Sequence, residues 1–99
     1  MINIDQNHLL TIKNILQQFI PNPTVWVFGS RIKQTAKSYS DLDLVIIGDK
    51  PISQKIYYQI QDAMEESDIP FRVEVLDWHR ISPAFREAIQ QQYEVLDFS

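Results

Sequence analysis

The sequence predicts an α/β domain in which helices pack on a small sheet. Three observations carry that expectation. Segments with apolar residues every three or four positions alternate with short β-branched and aromatic runs. The 99 residues suffice for one packed core and little more. The hydrophobic fraction of 44% is ordinary for a globular chain. The expected order is α-β-α-β-α-β-α, in a single domain spanning residues 1–99.

The first helix is read from Leu9, Ile12, Leu16 and Phe19, with Ile15 and Ile20 widening the stripe; Asn3, Asp5 or Asn7 caps it, and Pro21 with Pro23 stops it. Thr24-Val-Trp-Val-Phe28 reads as a buried strand that ends in Gly29-Ser30. Arg31 to Ala36 has room for at most two helical turns. Leu42 to Ile47 is the second strand, with Leu42, Leu44 and Ile46 on one face and Asp41, Asp43, Val45 and Ile47 on the other. Ser53 caps a long helix whose buried face is Ile56, Ile60 and Met64, ending before Pro70. Phe71 to Leu76 alternates: Phe71, Val73 and Val75 point one way, Arg72 and Glu74 the other. Ser82-Pro83 starts the last helix, with Phe85, Ala88 and Ile89 as its apolar face. The tail, Tyr93 to Phe98, is apolar enough to add an edge strand or dock on a partner. The Gly29-to-Asp41 connection is close to the lower limit of about 12 residues for a parallel crossover, so a mixed sheet is expected at least as strongly as a parallel one.

Composition narrows the function. A formal net charge of −4 argues against stable nucleic-acid binding by phosphate neutralisation, but is compatible with a nucleotide that arrives with Mg²⁺. The absence of cysteine excludes thiolate zinc sites, disulfides and cysteine nucleophiles. No apolar run approaches a membrane span, and the start of the chain lacks the pattern of a signal peptide, so a cytoplasmic protein is expected.

The chemistry is concentrated in two motifs. Asp41 and Asp43, two apart on a strand, project side by side, and their mutual repulsion calls for a cation. A strand ending in Gly29-Ser30 offers backbone amides and a hydroxyl to an anion, with Arg31 in reach of a phosphate. Each motif alone is common in plain turns; the fixed combination arises by chance roughly once per thousand chains of this size. Two Mg²⁺ ions need bridging carboxylates and a third acidic ligand. Glu74 supplies it, with Asp77 as the backup on the opposite parity.

Gly29-Ser30-Arg31 followed by Ser40-Asp41-Leu42-Asp43-Leu44 resembles the signature of the DNA polymerase β-like nucleotidyltransferase superfamily. The Val73-Glu-Val-Leu-Asp-Trp78 segment and the Ser82-Pro-Ala-Phe-Arg86 helix resemble its minimal nucleotidyltransferase (MNT) family. The resemblance implies the nucleotidyltransferase fold and transfer of a nucleoside monophosphate, AMP from ATP first, to an acceptor hydroxyl. It assigns the triphosphate to Gly29 and Ser30, and two Mg²⁺ ions, replaceable by Mn²⁺, to Asp41, Asp43 and Glu74. Glu74 also activates the acceptor. It stands where aspartate is usual, and misplacement on the order of 1 Å can lower a rate about 10²-fold. The resemblance further implies a small helical HEPN-type partner and an antitoxin role. Two rivals stand beside it: a nucleotide-binding subunit that acts on its partner by contact alone, and an enzyme modifying a small molecule such as an aminoglycoside. His8 and His79 are expected at the surface or at caps; Lys33 and Lys37 either help hold the triphosphate or form a solvated face, the two readings explaining them equally well. Tyr39 and Trp78 flank the site, and the acidic run from Asp62 to Asp68 is expected in water.

Overall fold

Apolar periodicity and capping chemistry together set the helices of the chain, whose computed structural model describes residues 2–33, 37 and 39–98. Helix α1 spans Gln6–Phe19, and Asp5 caps it by accepting from the Asn7 N–H at 2.7 Å. Helix α2 spans Gln54–Glu66 behind Ser53, whose hydroxyl accepts from the Ile56 N–H at 3.2 Å. Helix α3 spans Pro83–Gln91 behind Ser82, which accepts from the Phe85 N–H at 3.1 Å. Each of these side chains satisfies one of the amides that a helix start leaves unpaired.

The strands are β1 (Thr24–Phe28), β2 (Leu42–Ile47), β3 (Val73–Asp77) and β4 (Glu94–Val95). They form one mixed sheet in the order β3-β2-β1-β4: β1 runs antiparallel to β2 and β4, and β2 parallel to β3. The short helical segment expected over Arg31 to Ala36 falls partly on residues outside the described ones. Over its described part the chain makes tight turns, the Ile32 N–H donating to Gly29 O at 3.3 Å and the Lys33 N–H to Ser30 O at 3.2 Å; residues 34–36 lie outside the described residues. β1 and β2 are antiparallel neighbours, and such a pair can be joined without a crossover helix. The α2 segment serves the one parallel pair, β2 and β3.

The two sheet faces differ. On one, Val25, Val27, Leu42, Leu44, Ile46, Val73 and Val75 pack against Ile12 and Leu16 of α1 and Ile60 and Met64 of α2. Leu96 is buried in the same cluster and Phe98 packs against it, so most of the apolar tail is spent on this chain's own core, leaving Val95 and Tyr93 as its exposed apolar residues. The other face carries the site. The outer edge of β3 is closed by α2: Gln61 Nε2 donates to Val73 O at 3.0 Å, and the Tyr57 hydroxyl donates to Val75 O at 2.8 Å. Unpaired edge groups invite a foreign strand, and these two side chains occupy them.

Asp77 is a structural staple, as its parity required. It is 3% exposed and accepts from the Ile52 N–H at 2.8 Å, the His79 N–H at 3.0 Å and Arg80 Nε at 3.1 Å. Arg80 also donates to Ile52 O, and His79 Nε2 contacts Gly48 O, so the end of β3 is tied to the loop entering α2. Replacing Asp77 by Ala orphans two amides and a guanidinium. We expect a loss of about 2–3 kcal/mol in urea unfolding, with nucleotide affinity retained at temperatures where the variant is folded.

Candidate active site

Strand register brings the acidic residues together. Phe28 is opposite Asp43 in the antiparallel β1–β2 pair, and Asp43 is opposite Glu74 in the parallel β2–β3 pair. Opposed residues share a face, so Phe28, Asp43 and Glu74 form a row across three strands on the side away from α1 and α2. Behind it runs a second row, Trp26, Val45 and Leu76. Asp41 is exposed one residue before β2, whose start is pinned by the Leu42 N–H donating to Arg72 O at 2.9 Å.

Gly29 stands where β1 meets this row. Its φ of +85° is unfavourable for other residues, and a Cβ there would collide with Oδ2 of Asp43 and lie 3.4 Å from its Cγ. The glycine therefore lets the Asp43 carboxyl lie against the backbone. Ser30 follows, its amide preceding the first bonded amides of the turn, an arrangement that suits an anion.

Arg31, expected within reach of a phosphate, is held among backbone carbonyls. It is 5% exposed: Nε and Nη2 donate to Ser40 O at 3.1 and 2.7 Å, Nη1 donates to Asn3 O at 2.9 Å, and the guanidinium lies 4.0 Å over the Phe71 ring. The Asn3 N–H returns a bond to Arg31 O at 2.8 Å. Burial lowers the guanidinium pKa from its ordinary value while the Asp41 charge opposes that fall. Arg31 thus braces the segment that delivers Asp41. Its adjacency to Gly29-Ser30 in sequence gave no hint of this, because the partners lie near the N-terminus and at Phe71.

Asp43 is half-buried, and its carboxyl pKa is pushed up to about 6, first by burial, then by the charges of Glu74 and Asp41, with Arg72 pulling it down. Three carboxylates therefore share one field. They do not close on a point: among the described residues no three His, Cys, Asp or Glu side chains form a group that holds a metal ion. The flanking aromatics divide. Tyr39 is 70% exposed, whereas Trp78 packs edge-on to Trp26 and beneath Arg86. His8 sits edge-on to Phe71. Beside Gly29 opens a cleft of about 150 Å³ between β1 and α3. A larger one, about 410 Å³, lies at the opposite end of β1 and β2, by Thr24 and Ile47, and includes none of Asp41, Asp43 and Glu74.

The family model described as polymerase beta, nucleotidyltransferase, matches residues 11–97. The chain belongs to that family. This nucleotidyltransferase is 46% identical over 95 residues to a protein of Haemophilus influenzae described as a probable protein adenylyltransferase MntA, covering 96% of this chain and 83% of the relative. Its fold matches a chain of a crystal structure described as a toxin-antitoxin with AMP-PNP, with a TM-score of 0.75 and 18% identity over 92% of this chain and 73% of that one. It also matches a chain of a structure described as a tri-AMPylated Shewanella oneidensis HEPN toxin in complex with MNT antitoxin, with a TM-score of 0.70 and 18% identity over 97% of this chain and 74% of that one. At that identity the two structures speak for the fold: three helices on a four-stranded mixed sheet. Among the described residues no helix of the nucleotidyltransferase is long and apolar enough to cross a membrane.

The acidic row makes a stability prediction with a definite sign. Asp43 holds its proton up to about pH 6 in the folded chain but only to about 3.9 unfolded. Its ionisation therefore opposes folding, and the contribution it makes to stability on the acid side is lost as pH rises through about 6. Asp43→Asn should stabilise the metal-free protein at pH 7.5 by on the order of 1 kcal/mol, solvent screening having reduced the effect. At pH 4 the gain should vanish. Urea melts of both proteins at the two pH values check this.

Proposed function

We propose that this chain transfers a nucleoside monophosphate, AMP from ATP first, to a hydroxyl on a partner protein, releasing pyrophosphate. The observation that carries the reading is the register that seats Asp43 between Gly29 and Glu74. The raised Asp43 pKa supports a resident cation, since carboxylates that repel one another are what a hard divalent ion relieves. Asp41, Asp43 and Glu74 would hold two Mg²⁺, or Mn²⁺, which when bound neutralise charge on the phosphates and acidify the attacking hydroxyl. The turn at Gly29 and Ser30 receives the β- and γ-phosphates through backbone amides and the Ser30 hydroxyl. Glu74 takes the acceptor proton. Arg31 fixes the approach of Asp41 through Ser40 rather than touching phosphate.

The relative described as a protein adenylyltransferase supports AMP as the group moved, and the toxin-antitoxin structures support a small helical HEPN-type protein as acceptor and an antitoxin role. The reading treats residues 1–99 as one catalytic domain acting in the cytoplasm, its core drawing on residues from α1 through Leu96. One observation favours a second reading. The carboxylates do not converge in the chain alone, which suits a subunit that binds nucleotide weakly and restrains its partner by contact.

Incubating the chain and its co-expressed partner with ATP labelled at the α-phosphate separates the two. Metal-dependent label on the partner supports transfer, and a tight complex without label supports restraint by contact. With transfer, Asp43→Asn should lower labelling by about two orders of magnitude or more, because a neutral amide is a poorer ligand than a carboxylate for a hard divalent cation. The control Asp62→Asn, on the exposed side of α2, should leave it unchanged.

A further inference from the structure

Asp43 and Glu74 are partners across the β2–β3 pair, yet their backbones are held in unequal ways. Asp43 belongs to β2, which has β1 on one side and β3 on the other. Glu74 belongs to β3, the last strand of the sheet, and has β2 on one side only. Its outer side is served by Tyr57 and Gln61 of α2, which lie about one helical turn apart and so share a face of the helix. The Gln61 carboxamide spans the two peptide groups that flank Glu74: Nε2 donates to Val73 O at 3.0 Å, and Oε1 accepts from the Val75 N–H at 3.4 Å. The Tyr57 hydroxyl adds a bond to Val75 O at 2.8 Å. Burial, and after it the charge of Glu74, raises the pKa of that hydroxyl, which therefore lies within the field of the carboxylate.

We propose that Gln61, with the Tyr57 hydroxyl beside it, is the positioning element of Glu74, setting where that carboxylate meets the acceptor hydroxyl. The proposal rests on the nucleotidyl-transfer reading and deepens it by naming what aims the third carboxylate. A further strand beside β3 would present a donor and an acceptor to the peptides around residue 74. A carboxamide carries the same pair on one planar group, so Gln61 stands in for that strand. Shielding an edge from a foreign chain needs no such match, since a charged or bulky side chain suffices. Glutamate gives the clamp more to do. Its side chain is longer than aspartate's by one torsion, so a small rotation of the strand at residue 74 is magnified at the carboxylate. The helix supplying the clamp is itself fixed to β3, because Ile52, just before α2, donates its N–H to Asp77 Oδ2 at 2.8 Å.

The test follows Mg²⁺-dependent transfer from ATP labelled at the α-phosphate to the co-expressed partner. It compares the unaltered chain, Gln61→Met, Glu74→Gln and the double variant, circular dichroism verifying the fold at the assay temperature. Gln61→Met keeps the length of the side chain and removes both bonds. It should lower kcat about tenfold, a part of the loss that misplacement on the order of 1 Å brings, with the KM for ATP unchanged. In the Glu74→Gln background the same change should lower kcat no further, because the group it aims has been removed. Tyr57→Phe, which removes only the bond to Val75 O, should lower kcat about threefold with the same dependence on Glu74. Undiminished kcat in Gln61→Met, or an equal fall with and without the Glu74 carboxylate, overturns the positioning role alone. Should Gln61→Met not fold, either result in Tyr57→Phe overturns it in the same way. Full labelling by Glu74→Gln overturns the role given to Glu74 and the positioning with it. No label from the unaltered chain overturns the transfer reading itself, and the positioning falls too.

Discussion

The contact between the Asp43 carboxyl and the backbone of Gly29 is the constraint from which the rest of the site follows. A carboxylate half-buried beside two others is unfavourable, and the chain accommodates it by removing every competing atom from one side. That requires a glycine at positive φ as the last residue before the turn, and it requires the antiparallel register that sets Phe28 opposite Asp43. Slipping β2 by one residue would turn Asp43 into the core and Leu44 out to the site, so the apolar face formed by Leu42, Leu44 and Ile46 enforces the acidic row as much as it builds the core.

Around this point the fold distributes its polar staples so that none competes with the site. Asp77 is on the far parity of β3 and consumes its oxygens on Ile52, His79 and Arg80. Arg31, the buried cation beside the turn, is committed to carbonyls on either side, which stiffens the segment leading to Asp41. Gln61 and Tyr57 close one sheet edge. On the face of Asp43 the acidic row, the turn at Ser30 and the cleft beside Phe85 stay open.

Much of this was legible in the sequence, and for local reasons. Ser53 and Ser82 start their helices, and the alternation in 42–47 and 73–76 gives the faces, because caps and pleats are set by residues a few positions apart. That same alternation separated Glu74 from Asp77 before any pairing was known. What was not legible depends on pairing and on partners remote in sequence. The β1–β2 hairpin-like pairing, which makes a crossover helix unnecessary, is chosen by which strands bury together. Arg31 reads as a phosphate ligand from its neighbours and as a brace only once Asn3, Ser40 and Phe71 surround it. Phe85 and Ala88 fall on the helical stripe, but α3 packs against the sheet through Ile89 and leaves them in the cleft, a matter of helix placement that periodicity does not carry.

The central claim is that Asp41, Asp43 and Glu74 form the metal-binding side of a nucleotide site. Anomalous scattering from crystals of the chain grown with Mn²⁺ and a non-hydrolysable ATP analogue tests it most directly. The account predicts manganese peaks among these three carboxylates, with the triphosphate on the turn at Gly29 and Ser30. Nucleotide seated instead in the cleft by Thr24 and Ile47, or bound at the turn with no manganese in contact with Asp43, would contradict it.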